Sequence, residues 1–575
     1  MPSFTTLLSL IFIPFLAWLT IRASRLFTNY LSARKLGIPI IVVPCSWQDA
    51  WWIIIWGSFR WLRHVPILGY WVDYSHHSWA QDLRYRPHQK LGDAFVIVSP
   101  VKNEIMVNDP AAGVELQSHY KTWIKPRPLY DLFETFGKSV ISVNGEDWQR
   151  HRKIINPAFR EQNNRLVWDE SLRQARQMLD GVRRRPGHSG TLLDLRNDCV
   201  LIAMHVLSAA GFGHAHNFDG GLREVPQGHT KSLAEALMFL LQNILFTVLF
   251  SKWTLLGMMM PAKYREINAT VKEFRRYMKE IVAYNRATTQ GGGGGNTTSA
   301  DIVSALVEAD EAAKREEKTN IAANNSFGLG TAKPMYLSDD ELFGNLYVFN
   351  LAGFETTANA LIYTIPFLAA NRDVQEWVGE EVDVVMKGKD KLDYEEGFPL
   401  LVRCLALMYE TLRLWGPVPD AARWCAGESQ SLRVNDHEMV VPADTYVSTN
   451  FYGIHSDPRW WGADSLEWRP RRWIRVDEKT GKELIAPPPP GAAFMAWSIG
   501  PRICPGRKFS QVEFVAVISS LLRWYRLRPL VIRSKKMKTE EQARRALLQV
   551  IDDSMNVVTP KMRRPEDAGV VFIER

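Results

Sequence analysis

Cysteine is scarce and unpaired in this chain. Cys45, Cys199, Cys404, Cys425 and Cys504 stand far apart in 575 residues, odd in number and in no C-x-x-C spacing. That excludes a disulfide framework and a zinc ribbon or finger, and it points to a reducing compartment. No internal repeat is present. The net charge of +8 is not gathered into any nucleic-acid motif, so acidic lipid or an acidic protein is the expected partner of that charge, and nucleic acid is not.

Charge is also missing from Pro2 to Ile21, a run holding Leu7, Leu8, Leu10, Ile11, Phe12, Ile13, Phe15, Leu16, Trp18 and Leu19. A bilayer core takes about 20 apolar residues as a helix. Arg22, Arg25, Arg34 and Lys35 follow, and nothing charged precedes. This order is the reverse of a cleaved signal and predicts a single-pass transmembrane anchor over residues 1–24 with the rest of the chain in the cytosol. A second apolar patch, Trp51 to Trp61, is too short to span and suits the headgroup layer. Residues 25–89 therefore read as a linker and membrane-interface segment.

Beyond this point amphipathic helical periodicity dominates, with short β-rich pieces near Ala94 to Val101 and Glu438 to Val447. Five successive glycines from Gly291 to Gly295, and the polar stretch from Ala309 to Pro334, predict a flexible loop over about 287–334. The expected fold is mainly α with small β-sheets.

Three stretches carry chemistry. In Phe494-Met-Ala-Trp497-Ser-Ile-Gly500-Pro-Arg502-Ile-Cys504-Pro-Gly506, glycines at 500 and 506 allow a tight backbone around the sulfur, and a helical run from Phe509 follows. A sulfur at a helix N-terminus is favoured as thiolate. With no Cys or His partner nearby, it fits an iron with one protein ligand better than tetrahedral zinc. Ser338-Asp-Asp-Glu341 is a capping box. It opens a helix that runs into Ala352-Gly353-Phe354-Glu355-Thr356, where an acid stands beside a hydroxyl and Gly353 leaves room for a flat cofactor. Glu410 and Arg413 lie one turn apart on one helix face and can pair.

Together these resemble the cytochrome P450 superfamily over roughly residues 90 to 575, which replaces the several domains suggested by length with one haem-thiolate domain. The resemblance implies haem b with Cys504 as the axial metal ligand. Trp497 stands seven residues before the cysteine, where the family normally has Phe. Ala352 and Gly353 would line the oxygen pocket, and Thr356 and Glu355 would relay protons to dioxygen. Glu410, Arg413 and Arg472 would form a structural ion network, although Arg471 and Trp473 stand where Glu and Phe are usual. Trp148, Arg152, Arg423 and Arg502 would hold the haem propionates.

The implied reaction puts one oxygen atom of O2 into a substrate and the other into water. The sequence has no flavin or nicotinamide domain, so electrons would come from NADPH through a membrane-bound cytochrome P450 reductase, with cytochrome b5 as a second donor. Arg150, Lys153, Arg507 and Lys508 would offer the docking face. The segments Lys121 to Gly145 and Leu233 to Met260 would shape a pocket for a hydrophobic substrate such as a terpenoid, polyketide or alkaloid, in keeping with a resemblance to fungal microsomal members. Localisation would be the endoplasmic reticulum membrane. Two rivals are a haem-thiolate isomerase or dehydratase, which needs neither O2 nor reductase, and a non-catalytic membrane haem-binding protein.

Overall fold

The structure is a computed structural model that describes residues 4–66, 69–76, 78–184, 191–192, 194–220, 224–243, 262–290, 301–323, 334–389, 392–425, 427–531, 539–556 and 559–575. The elements that position the site are α1 (Phe4–Arg34), α2 (Ala50–Phe59), α3 (Gly145–Ile155), α4 (Glu161–Arg184), α5 (Leu195–Phe212), α6 (Asp339–Ala370), α7 (Val402–Trp415) and α8 (Arg507–Trp524). Burial drives the packing: α8 lies on α4, α4 on α5, α5 on α6, and α6 and α8 also meet α7. The expected capping box is present, with the Ser338 side chain accepting from the Glu341 N–H and Glu341 reaching back to the Ser338 N–H. Most of α6 is buried, including Leu346, Leu361 and Ile365 at 0% exposure. Each such side chain contributes about 1.5–3 kcal/mol relative to leaving it in water.

The main sheet has six strands, β1 (Ile40–Val42), β2 (Ala94–Val98), β3 (Asn103–Val107), β4 (Trp123–Ile124), β5 (Asp420–Cys425) and β6 (Tyr446–Asn450), in the spatial order β1-β2-β3-β6-β5-β4. The pairs β1/β2 and β3/β6 are parallel and the others antiparallel. A separate core of Val96, Ile105, Val107 and Leu432 fills one face of the sheet.

The N-terminal expectations need correcting. The first helix does not stop at residue 24. It runs to Arg34, and its second half sets Leu26, Tyr30 and Ala33, a four-then-three spacing, against the sheet core. Among the described residues no helix is long and apolar enough to cross a membrane. Residues 25–89 are not a linker either, since they supply β1 and pack Trp79 and Ala80 into a third core. The 287–334 loop is interrupted as well. The helix Ala262–Gln290 covers its start, and Ile302–Ala323 is helical. That second helix buries Ile302, Val303, Leu306 and Val307, and its Asp310 accepts the Leu337 N–H at 2.7 Å. Polar composition concealed an amphipathic helix there. The Gly291–Gly295 run lies outside the described residues, as does most of the Leu233 to Met260 stretch beyond a helix over Leu233–Gln242.

Candidate active site

The cysteine loop is a closed turn. The Cys504 N–H donates to the Trp497 carbonyl at 2.9 Å, and the Ser498 N–H donates to Met495 O at 2.8 Å. Gly500 is required twice over, by a φ of +69° and by an absent Cβ that would come within 2.9 Å of Ser118 Cα. Gly506 is different. Its φ of −83° is ordinary, and a Cβ would sit 3.9 Å from the Cys504 sulfur and 3.9 Å from Phe159. Its use is to leave the sulfur a bare flank.

In the bare loop, burial works against the thiolate that the helix start favours. The sulfur is accessible, yet protein surrounds it, and that desolvation raises the thiol; the Gly506 N–H and the Arg152 charge pull only partly the other way. A metal cation at the sulfur reverses that balance and ionises it outright. Burial lowers the Arg152 guanidinium, and the nearby Cys504 charge pulls it partly back.

Phe159 joins the loop to α6 through an edge-on contact with Phe349 at 5.5 Å. Farther along α6, Ala352 is exposed and Gly353, Glu355 and Thr356 partly so. The Thr356 hydroxyl donates to Ala352 O at 2.9 Å, the back-bond expected of a mid-helix threonine. Glu355 turns outward, accepting from Thr559 Oγ1 at 2.9 Å with Lys561 Nζ at 3.9 Å. At Gly353 a Cβ would also meet Leu207 of α5 at 3.2 Å, so packing adds its own demand for glycine there.

A second carboxyl lies on the buried side of the same helix. Glu513 of α8 is fully buried and neither oxygen has a hydrogen-bond partner among the described residues, while Thr357 Oγ1 is likewise unmatched. Burial pushes the Glu513 carboxyl well above the usual range, eased by the facing Thr357 hydroxyl. One glutamate within a helical run offers no sequence signal, and it was missed.

The cationic group is larger than the motifs suggested. Arg502 stacks its guanidinium over Trp148 at 4.7 Å and donates to Val143 O at 3.0 Å and Asn144 Oδ1 at 2.9 Å. Its Nε and Nη1 are buried without partners, as is Nε of Arg423. The rest of Arg423 is tied to Ala422 O at 2.9 Å and to Gln117 Oε1. Lys125, which no motif announced, completes the set. Its Nζ donates to Ile141 O at 3.1 Å and lies 4.5 Å from the Tyr130 ring. Burial and the neighbouring Arg502 and Arg423 charges drive its pKa well down. Burial and Arg423 likewise pull Arg502 down to about 9. Nearby Asp420 is pushed up to about 7 by desolvation, which weakens it as a counter-charge. Arg150 is no docking residue: at 10% exposure it is committed to Glu341 at 2.6 Å and Asp147 at 3.3 Å.

The structural network is as expected, and its two departures are explained. Glu410 and Arg413 are fully buried and pair in two bonds of 2.9 Å. Arg413 also donates to the carbonyls of His455 at 2.7 Å, Ser465 at 2.6 Å and Glu467 at 3.2 Å. Arg472 reaches Glu410 at 3.0 Å. Trp473, in place of the usual Phe, adds an indole N–H to Glu410 Oε2 at 2.9 Å, and Arg471 lies over the Trp377 ring at 4.6 Å. Burial would raise the Glu410 carboxyl, but Arg413 and the other donors hold it below the ordinary range.

The residues present fit a flat cofactor with two carboxylates. Unspent guanidinium N–H groups and mutually repelling cations lack an anion among the described residues, and a single soft donor, Cys504, lies two residues from one of them, Arg502. The comparisons agree. The profile described as "Cytochrome P450" matches residues 61–553. A cytochrome P450 monooxygenase of Arthrobotrys oligospora is 28% identical over 534 residues, covering 87% of this chain and 88% of the relative. The phomenoic acid biosynthesis cluster cytochrome P450 monooxygenase of Leptosphaeria maculans is 26% identical over 572 residues, covering 92% and 93%. A crystal structure of a cytochrome P450 superposes with a TM-score of 0.62 at 18% identity, over 85% of this chain and 93% of that one, and so shares the fold. The chain therefore belongs to the cytochrome P450 monooxygenases, a family of oxidoreductases.

Proposed function

We propose that this protein inserts one atom of O2 into a hydrophobic secondary metabolite of terpenoid, polyketide or alkaloid type. NADPH-derived electrons reach it through a membrane-bound reductase, with cytochrome b5 as a second donor, at the endoplasmic reticulum with the catalytic domain in the cytosol. The observation that carries the reading is the cationic group with its unspent donors, set beside a lone accessible thiol. The phomenoic acid cluster named for the Leptosphaeria relative supports a biosynthetic role.

Haem b on Cys504 supplies reductive dioxygen cleavage, with the thiolate pushing electron density toward the iron. The chain's own groups do the rest. Lys125, Arg423 and Arg502 would hold the two carboxylates, with Arg502 braced by the Trp148 ring. Thr356 Oγ1 already donates its proton to Ala352 O, leaving its lone pairs open to accept from water. Glu355 is 16% exposed and Lys561 30% exposed, so they offer a route for protons from the surface toward α6.

Membrane attachment is part of the proposal. Phe12, Ile13 and Phe15 of α1 are more than half exposed, as are Ile54 and Trp61. Trp18 meets Trp51 edge-on at 5.7 Å, and Arg22 pairs with Asp49 at 2.7 Å. These contacts hold α1 and α2 together as one apolar surface edged by tryptophan and arginine, a composition suited to a bilayer interface. Carbonate extraction distinguishes a spanning helix, which stays in the membrane pellet, from a peripheral one, which is released.

The first test is the reduced, carbon-monoxide difference spectrum beside Cys504→Ser. A strongly red-shifted Soret band in the wild type alone supports the reading, and a haem-loaded wild type without it ends the thiolate assignment. Turnover without NADPH would favour an isomerase or dehydratase. A cellular phenotype that survives Thr356→Ala but not Cys504→Ala would favour a non-catalytic haem-binding protein.

A further inference from the structure

Trp497 is tied to the ligand itself. Its carbonyl accepts the Cys504 N–H at 2.9 Å, so the indole is anchored one hydrogen bond from the backbone of the sulfur-bearing residue. Its ring is held by Tyr409 at 5.4 Å, by Phe494 edge-on at 6.0 Å and by the Arg507 guanidinium at 5.5 Å. Tyr409 is fixed in turn, its hydroxyl accepting from Arg507 at 3.1 Å and Gln511 at 3.2 Å.

An indole has one N–H and no acceptor. In a loop that also carries the Cys504 sulfur, the acceptor it takes decides whether that sulfur can receive it. The structure shows where it goes: Trp497 Nε1 donates to Ser510 Oγ at 3.0 Å. The Ser510 hydroxyl spends its own proton on Arg507 O, one turn back, at 2.9 Å. That leaves only lone pairs facing the indole, so Ser510 is oriented as an acceptor. It is 8% exposed, and bulk water competes little for the bond.

We propose that Ser510 withholds the Trp497 indole N–H from the Cys504 sulfur, and so keeps that thiolate a strong donor to iron. The inference rests on the haem-thiolate reading above. The physical link is that each hydrogen bond to a ligating sulfur draws charge away from the metal and raises the reduction potential, an outer-shell effect set by the neighbours of the ligand. With its N–H spent on Ser510, the indole stands closer electronically to a phenylalanine. Ser510 is a positioning residue, acting through Trp497.

The test uses the full-length, haem-loaded protein and reads the Fe–S stretch by resonance Raman and the ferric/ferrous midpoint potential, neither of which depends on a substrate. Ser510→Ala should release the indole, lowering the Fe–S frequency and raising the potential. Ser510→Thr keeps an acceptor and should match the wild type. Trp497→Phe should change both readings little, and in the Ser510→Ala background it should abolish the shift. A silent Ser510→Ala combined with a Trp497→Phe that raises the Fe–S frequency would overturn the proposal, because the indole would already be bonded to sulfur. Should Ser510→Ala fail to fold, Trp497→Phe decides alone: little change supports the proposal, and a raised frequency overturns it. A wild type lacking any Fe–S band would defeat the haem-thiolate reading itself, and the proposal with it.

Discussion

Two buried sets of charges in this molecule are built on opposite principles. Around Glu410, five donors converge on two carboxylate oxygens: both arms of Arg413, the Arg469 N–H, Arg472 and Trp473. Around Arg423 and Arg502, cations crowd one another and buried nitrogens have no partner among the described residues. Unpaired buried charge costs several kcal/mol, whereas a fully bonded ion pair holds its place. The first set is complete within the chain and holds structure. The second is completed only by an anion from outside. Completeness of hydrogen bonding, more than burial or charge, separates scaffold from site here.

The contrast can be broken in graded steps. Glu410→Ala leaves Arg413 buried and uncompensated, and should cost about 3–5 kcal/mol; urea unfolding with haem-to-protein ratio should show a chain that barely folds or retains cofactor. Acidification tests the same region. Met495 N–H donates to Nε2 of buried His455 at 2.8 Å, which demands the neutral ring, and burial beside Arg413 pulls its pKa down to about 3. The unfolded ring binds its proton near 6.5, so this stability is intact above that value and is lost as pH falls through the folded pKa. By pH 5 the loss is on the order of 2 kcal/mol. His88 and His205, each pulled down to about 4 by burial, add to it. Urea midpoints at pH 7 and pH 5 measure the drop, and a flat profile would refute it.

Trp473→Phe restores the family's usual residue but removes one of the five donors, at a cost of about 1.5–3 kcal/mol; the urea midpoint of the holoprotein reads it. The smallest effect on folding belongs to the other set. Arg502→Met should leave the haem-free chain within about 1 kcal/mol of wild type, or more stable, while haem transfer to apomyoglobin becomes faster. If this variant unfolds as readily as Glu410→Ala, the division between the two sets fails.

The sequence disclosed what local pattern can disclose. Glu410 and Arg413 sit one helical turn apart, and Cys504 is framed by Gly500 and a helix start, local patterns on which the family resemblance could mark them. Lys125 and Glu513 reach the site from isolated positions and carry no such mark; only tertiary burial makes them significant. The polar stretch before Pro334 was misread for a different reason, since net polarity outweighed the Ile302, Val303, Leu306, Val307 stripe that the structure buries. Gly353 was legible as a close approach, and Leu207 is one group that makes it.

One amide has a consequence for the order of assembly. Asn144 Oδ1 accepts from both the Lys125 N–H at 3.1 Å and Arg502 Nη2 at 2.9 Å, and its own Nδ2 donates to Lys125 O at 2.9 Å. The Lys125 partner is 19 residues away and the Arg502 partner 358 away. The short loop closes early and the long one late, both because closure entropy grows with separation and because Arg502 leaves the ribosome long after Asn144. This tie between the cleft's walls is therefore made late, after the Lys125 side of the amide is already in place.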